Sequence, residues 1–88
     1  MTTEAKGQLV SRLATEVARR VGAGDKAVVV GGETYTLAAP LLRDLAVEHD
    51  VSPEEARAVL VDAEAAGLVV TYHDHDTDAP LLVRALLL

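Results

Sequence analysis

The chain has 88 residues, half of them hydrophobic and none of them cysteine, and a formal net charge of −6. These values exclude disulfides, thiolate metal sites and thiol nucleophiles, and they predict one domain with a core of modest size. Residues 1–6 are polar and no apolar run approaches the ~20 residues of a membrane span, so we expect no signal peptide, no membrane partner and a cytoplasmic location.

The first predicted element is an amphipathic helix over residues 4–21. Its apolar side chains recur at helical spacing, and they are Leu9, Val10, Leu13, Ala14, Val17, Ala18 and Val21. Gly22 and Gly24 are expected to end this helix, because glycine is favoured at helix C-termini. The apolar face is broad enough to pack on its own domain and on a second copy. We therefore expect a homodimer formed through this helix, with the apolar C-terminal strand as a further contact.

Residues 27–37 predict β structure. Two short β-branched runs, 27–30 and 34–37, flank Gly31 and Gly32, and paired glycines between such runs are typical of a hairpin turn. A single small strand over 34–37 is the alternative.

A second helix is predicted to begin at Pro40, because proline is favoured in the first turn of a helix. It is expected to end near His49, where Asp50 and Val51 form a tight turn. Its buried stripe comprises Leu41, Leu42, Leu45 and Ala46.

The third helix has a complete start signal. Ser52 is a favoured N-cap residue, Pro53 suits the first helical position, and the Glu55 carboxylate can close a capping box by accepting a hydrogen bond from the Ser52 N–H. This helix is predicted to run to Ala66 and to stop at Gly67, with an inward stripe of Ala56, Val59, Leu60 and Ala63. Residues 68–73 then predict a strand, 74–79 a turn and 81–88 a returning strand.

Residues 41–88 resemble the winged helix-turn-helix superfamily, particularly MarR-like and related prokaryotic transcription regulators. The resemblance rests on Leu45-Ala46, Glu48, Val51-Ser52, Val59-Leu60, Ala63-Glu64 and Gly67-Leu68-Val69. In this pattern Ala46 allows two helices to cross closely, Val51 fills the turn between them, and Gly67 permits a left-handed exit. The resemblance implies an α+β fold in which residues 1–88 form a single winged helix-turn-helix domain. Its parts are an N-terminal helix (1–24), a short strand or hairpin (27–37), the helix-turn-helix (40–67) and a wing (68–88).

The resemblance also implies a small, dimeric transcription regulator that binds double-stranded DNA. In DNA-binding members of the superfamily, the second helix of the pair enters the major groove. We expect Arg57 to be the principal groove residue, since it is the basic side chain on the outward face of this helix. The neighbouring candidates are Ser52, Glu54, Ala58 and Val61, and Arg12 and Arg19 of the first helix would flank the groove.

The distribution of charge favours a second interpretation, in which the domain is an acidic winged-helix module that binds a protein and does not contact DNA. Residues 1–30 hold five basic and three acidic side chains, whereas residues 31–88 hold three basic and eleven acidic ones. A protein held by phosphates needs a basic face, and acids near the start of the recognition helix would repel them. A small apolar patch of Ala58, Val61 and Ala65 would then contact the partner. High acidity could instead reflect a salt-rich host, where such repulsion is screened.

The predicted turn at 74–79 carries histidines and acids in alternation. His73 and His75 could chelate a metal from one strand face, and Asp74, Asp76 and Asp78 begin like a calcium loop. The glycine and the closing glutamate of such a loop are missing, so we interpret the segment as a solvated acidic hairpin tip. No nucleophile stands with a plausible partner set. We expect no metal site, no cofactor and no enzymatic activity.

Overall fold

Three helices pack against a four-stranded antiparallel sheet within residues 3–86, which a computed structural model of the protein describes, with side chains from residue 5 onward. The elements are α1 (Thr3–Ala23), β1 (Ala27–Val30), β2 (Glu33–Leu37), α2 (Ala38–His49), α3 (Pro53–Ala65), β3 (Val69–His73) and β4 (Pro80–Ala85). The α+β class predicted from the sequence is confirmed. Across these residues, no helix combines the length and the apolar character needed to cross a membrane.

Strands β1 and β2 form the predicted hairpin. Gly31 and Gly32 both have positive φ, at 59° and 82°, which is the backbone that a two-residue hairpin turn requires and that glycine adopts without strain. The turn pairs Val30 with Glu33, so β2 begins one residue earlier than expected. The alternative of a single strand in this region is therefore wrong.

The strand order is β1-β2-β4-β3, which places the last strand in the interior of the sheet. β4 pairs with β2 through Thr36↔Val83 and Leu37↔Leu82, and on its other side it pairs with β3 from Val69↔Ala85 onward. The strand that precedes the two helices α2 and α3 is therefore joined to the hairpin that follows them. This closure fixes the helix pair over the sheet.

The core lies between the helices and one face of the sheet. Thr36 and Val83, paired across β2 and β4, are both fully buried, and Val69 of β3 is nearly so. The helices contribute the remaining core residues, which are Leu9, Leu13, Val17, Ala38, Leu41, Leu45, Ala56, Val59, Leu60 and Ala63. The inward stripe predicted for α3 is confirmed in full. In α2, Leu41 and Leu45 are buried, whereas Leu42 and Ala46 are half-buried against the core.

The turn between α2 and α3 depends on three local features. Asp50 adopts a left-handed conformation (φ 53°) and ends α2 with its N–H bonded to the Ala46 carbonyl oxygen. Val51 packs half-buried against the core. Ser52 then caps α3, its Oγ accepting a hydrogen bond from the Glu55 N–H at 3.1 Å. Half of the expected capping box is present, since among the described residues the Ser52 N–H does not donate to the Glu55 carboxylate.

Several predicted boundaries differ from the structure. α2 begins at Ala38, directly after β2, so Pro40 is its third residue and does not open it. Proline is tolerated there because first-turn N–H groups have no partner within the helix. α1 continues through Gly22 to Ala23, and the chain then turns at Gly24 with φ 70°. β4 ends at Ala85, and residues 87–88 of the predicted strand lie outside the described residues.

Replacing Ser52 by alanine should lower the free energy of unfolding by about 1 kcal/mol, because the Glu55 N–H would lose its acceptor at the start of α3. Urea denaturation followed by circular dichroism would measure this change. Ser11→Ala is the matched control, since Ser11 is exposed within α1 and caps no helix. Equal stability of the Ser52→Ala variant and the wild type would show that the cap does not stabilise α3.

Candidate functional site

The structure separates the arginines that the sequence analysis grouped into one DNA-binding face. Arg12 and Arg19 line a groove of about 290 Å³ between α1 and α2. Arg57 lines a different groove, which runs between α2, the start of α3 and the start of β4. α2 contributes different faces to the two grooves. Asp44 and Glu48 line the first, and the second is lined by Ala39, Leu42, Arg43, Ala46, Val47 and Asp50. Arg12 and Arg19 therefore do not line the groove that Arg57 lines.

The charges of the α1–α2 groove are largely paired with one another. The Arg19 guanidinium contacts the Glu16 carboxylate at 2.6 Å, and this hydrogen-bonded pair lowers the pKa of Glu16 and raises that of Arg19. Arg20 is buried, and its Nη2 donates to the Asp44 carboxylate at 2.7 Å, which lowers the pKa of Asp44. Arg12 is the basic residue of this groove for which the structure gives no ion pair. The groove thus ties α1 to α2 and offers little free positive charge.

The second groove is large and mostly apolar, and we call it the apolar groove. Its volume is about 900 Å³, and it is lined by Ala39, Leu42, Arg43, Ala46, Val47, Asp50, Val51, Pro53, Arg57, Ala79, Pro80 and Leu81. The residues from α2 recur at spacings of three and four, so they form one stripe that borders the core-facing side of the helix at Leu42 and Ala46 and extends away from it. Val47 is 78% exposed and Leu81 is 43% exposed. Two large apolar side chains therefore stand in solvent within one concave surface.

Two cations accompany this apolar lining. Arg57 has no ion pair in the described part of the chain, and Arg43 is in ion-pair range only of Asp44, at 3.9 Å. Asp50 is the one acid that lines the groove. The groove thus carries two bases and one acid in a protein whose net charge is −6.

The outward surface of α3 holds the other predicted contact residues. Val61 is 57% exposed and lines a smaller groove, of about 260 Å³, between α3 and the β3–β4 hairpin. Glu54 and Ala58 are exposed near the start of the helix, whereas the hydroxyl of Ser52 is engaged in the cap. Asp62 is bonded to Lys6 of α1 at 2.8 Å. Of the predicted residues, Arg57 is the one that lines both grooves.

The acidic turn between β3 and β4 satisfies its own backbone. Asp74 Oδ1 accepts hydrogen bonds from the N–H groups of Asp76 at 2.7 Å and Thr77 at 3.3 Å, so its carboxylate holds an Asx turn. His73 Nε2 lies 3.4 Å from a carboxylate oxygen of Glu64, while His75 is exposed in the turn. No cluster of three or more histidine, aspartate or glutamate side chains within residues 3–86 could hold a metal ion.

The sequence analysis missed Arg43, Val47 and Leu81 as candidate contact residues. Val47 follows the apolar pair Leu45-Ala46 in the chain, and with Leu42 it continues a second apolar stripe on the outer side of α2. Helical spacing within α2 is enough to predict this stripe from the sequence. The contribution of Leu81 could not be predicted from the sequence, because it depends on where β4 lies relative to α2.

Comparisons of the chain with protein-family models, with curated proteins and with solved structures find no significant match.

Acidification should destabilise the domain by weakening the ion pairs that Glu16 and Asp44 form with Arg19 and Arg20. The pKa values of Glu16 and Asp44 lie below their ordinary values of 4.5 and 3.8, so their contribution to stability is present above those values and is lost as pH falls through the folded-state pKa. Arg20→Met should reduce the part of this loss that comes from Asp44, because Arg20 is the main cause of the lowered Asp44 pKa, whereas Glu16 would keep its stronger partner Arg19. Urea denaturation at neutral pH and near pH 3 would measure it.

The control for this experiment is Arg12→Met, on the same helix but without an ion pair in the described structure. It should retain the acid sensitivity of the wild type. If the stability of the Arg20→Met variant falls with pH as steeply as that of the wild type, the ion pair between Arg20 and Asp44 does not contribute to the acid sensitivity.

Proposed function

We propose that the domain is a winged helix-turn-helix module that binds a protein, and that its apolar groove accepts an apolar segment flanked by acidic residues. The observation that carries the proposal is the combination of exposed Val47 and Leu81 with an unpaired Arg57 in one groove of about 900 Å³. This function corresponds to the second of the two hypotheses drawn from the sequence, with the contact surface moved from the outer face of α3 to the groove beside it.

The architecture supports the winged-helix part of this proposal. The order of elements is a helix, a strand, two helices and a final hairpin, apart from the added strand β1. The strand before the helix pair lies beside the last strand, in the order β2-β4-β3. Asp50 and Gly67 (φ 77°) are left-handed and Ser52 caps α3, so a tight turn separates the helices and a sharp exit follows the second, which supports a helix-turn-helix arrangement.

The chemistry of the apolar groove supports a protein partner. Burying apolar surface contributes about 25 cal/mol per Å², and Val47 and Leu81 offer such surface without any rearrangement of the domain. Arg57 adds a planar guanidinium that can bind a carboxylate through two hydrogen bonds. Arginine within an apolar surround is typical of the residues that dominate binding energy at protein interfaces. An apolar segment with a neighbouring acid therefore complements the groove in both respects.

DNA binding is a second candidate, and the position of Arg57 favours it. Arg57 lies near the start of α3, where DNA-reading helices contact bases, and it has no ion pair among the described residues. The acids around it oppose this function, since Glu54 and Glu55 share its helix turn and Asp78 lines the adjacent groove. The remaining arginines of the predicted site lie beyond α2. Attraction to phosphates requires a basic surface, which this arrangement does not provide.

Val47→Asp should abolish peptide binding through the apolar groove, because it places a charge on the apolar lining. A displayed library of random peptides, selected on the wild-type domain, should yield apolar sequences with an acidic neighbour. Arg57→Ala should weaken a selected peptide about tenfold, equivalent to ~1.4 kcal/mol. Isothermal titration calorimetry of each variant would provide the dissociation constants.

Val61→Asp is the matched control, as another exposed helical valine that lies outside the apolar groove. It should leave peptide binding unchanged. Loss of binding in Val61→Asp but not in Val47→Asp would move the site to the outer face of α3.

Failure to select any peptide, combined with enrichment of a palindromic duplex that Arg57→Ala no longer binds, would replace the proposed function with DNA recognition. The duplex selection should be repeated at low and at molar salt, since screening removes acid–phosphate repulsion.

A further inference from the structure

The sheet has a second face that points away from the helices, which we call the outer sheet face. Successive side chains of a strand point to opposite faces of the sheet. Because Thr36 and Val83 point into the core, their neighbours in the chain point to the outer sheet face. Its members are Val28, Val30, Glu33, Tyr35, Leu37, Val70, Tyr72, Leu82 and Arg84. The pairs Val28↔Tyr35, Val70↔Arg84 and Tyr72↔Leu82 lie side by side across the strands.

This face is apolar where a solvated sheet face is ordinarily polar. Antiparallel sheets that cover a core on one side alternate apolar and polar residues along each strand. Here seven of the nine outward side chains are apolar or aromatic. Six of these seven lie outside the buried core, whereas Tyr35 is 8% exposed and lies beneath the Arg84 guanidinium. Val28, Val30 and Leu37 are 36–37% exposed and Tyr72 is 44% exposed, so described residues of the chain do not cover them.

We propose that the outer sheet face packs against the same face of a second copy of this chain, forming a homodimer with two stacked sheets. Charge favours this partner. The chain carries a net charge of −6, so two copies repel each other over most of their surface. The outer sheet face carries one acid, Glu33, and one base, Arg84, and is electrically neutral. Two copies therefore repel each other less across this face than across the acidic remainder of their surface.

The two charged residues also complement one another across such an interface. Arg84 Nη1 lies 3.9 Å from the Glu33 carboxylate, which is longer than a hydrogen bond, and its Nε has no hydrogen-bond partner in the described structure. Its guanidinium lies over the Tyr35 ring at 5.9 Å. The Nε atom is enclosed, but Nη1 is only weakly paired and the side chain is 26% exposed, so Nη1 can donate to the Glu33 carboxylate of a second copy. The surrounding tyrosine and aliphatic side chains are typical of interface centres.

The size of the face sets the expected affinity. Four strands spaced about 4.8 Å apart, each about five residues of ~3.3 Å, give a face of roughly 19 by 17 Å. Two such faces together present roughly 650 Å², below the about 1,000 Å² of specific, stable complexes. The homodimer should therefore be weak and form only at high micromolar concentrations.

The first helix, where the sequence analysis placed the dimer contact, has no comparable apolar stripe left. Leu9, Leu13 and Val17 are buried in the core of the domain, and Val10, Ala14 and Val21 pack against it. The outward residues of α1 are mainly polar or small and include Ser11, Arg12, Thr15 and Arg19. The apolar residues of α1 are therefore used within one copy.

The double substitution Val28→Lys and Leu37→Lys should dissociate the homodimer, because it places two charges on the apolar surface between the stacked sheets. Sedimentation equilibrium at high micromolar concentration should show an average mass approaching twice the 9.3 kDa chain mass for the wild type and the chain mass for the variant, with the dissociation constant raised at least a hundredfold. Lysine lowers the net negative charge, so general repulsion between copies cannot explain such a loss. Circular dichroism would check that the variant is folded.

Val29→Lys is the matched control. Val29 lies in the same strand as Val28, is 67% exposed and points to the opposite face, so the variant should remain a dimer. A monomeric wild type at high micromolar concentration would overturn the proposal, and so would a double variant that is folded and still dimeric. Dissociation by Val29→Lys as well would also overturn it, since this result indicates pairing through the free edge of β1. These outcomes are independent of whether the apolar groove binds a peptide.

Discussion

The pairing of β4 with both of its neighbours is the interaction on which the rest of the domain depends. β4 bonds to β2 on one side and to β3 on the other, so it joins the strand before the helix pair to the strand after it. Val83, at its centre, is fully buried against residues from all three helices in the core. Without this strand β2 and β3 would not be joined, and α1 and α2 would lose their contacts with β4 in the middle of the sheet.

The position of β4 also creates the two surfaces that carry the proposals. Its first residues, Pro80 and Leu81, close one side of the apolar groove, whereas Leu82 and Arg84 lie in the middle of the outer sheet face. The two surfaces lie on different sides of the sheet. One copy could therefore bind a protein segment in its groove while its sheet packs against a second copy.

The sequence predicted the features that arise locally. The cap at Ser52, the glycine turn at 31–32 and the inward stripe of α3 each depend on residues within a few positions of one another, and the structure confirms them. The predicted start of α2 at Pro40 is wrong. Proline fits any position in the first turn of a helix, and here the helix begins two residues earlier, directly after β2.

The candidate surfaces could not be predicted in the same way, because they depend on pairing between distant segments. Val28 and Tyr72 share a face only because β2 and β4 lie between their strands. Arg12 and Arg57 are both outward arginines in the sequence, yet α2 separates the grooves that they line. Helical periodicity shows that a residue points outward from its own helix, but it does not show which other elements stand beside it.

The two edges of the sheet differ in a way that bears on the solubility of the protein. At β3, a shift in register between Tyr72 and His73 interrupts the edge, and irregular edges resist the addition of further strands. The edge at β1 is a regular run, Ala27–Val30, without a charged residue, and stacking through the outer sheet face would leave it uncovered. The net charge of −6 then keeps copies from adding to one another edge to edge as in a fibril. Near the isoelectric point of about 4.8 this protection disappears, and open-ended aggregation becomes the competing state of the folded chain.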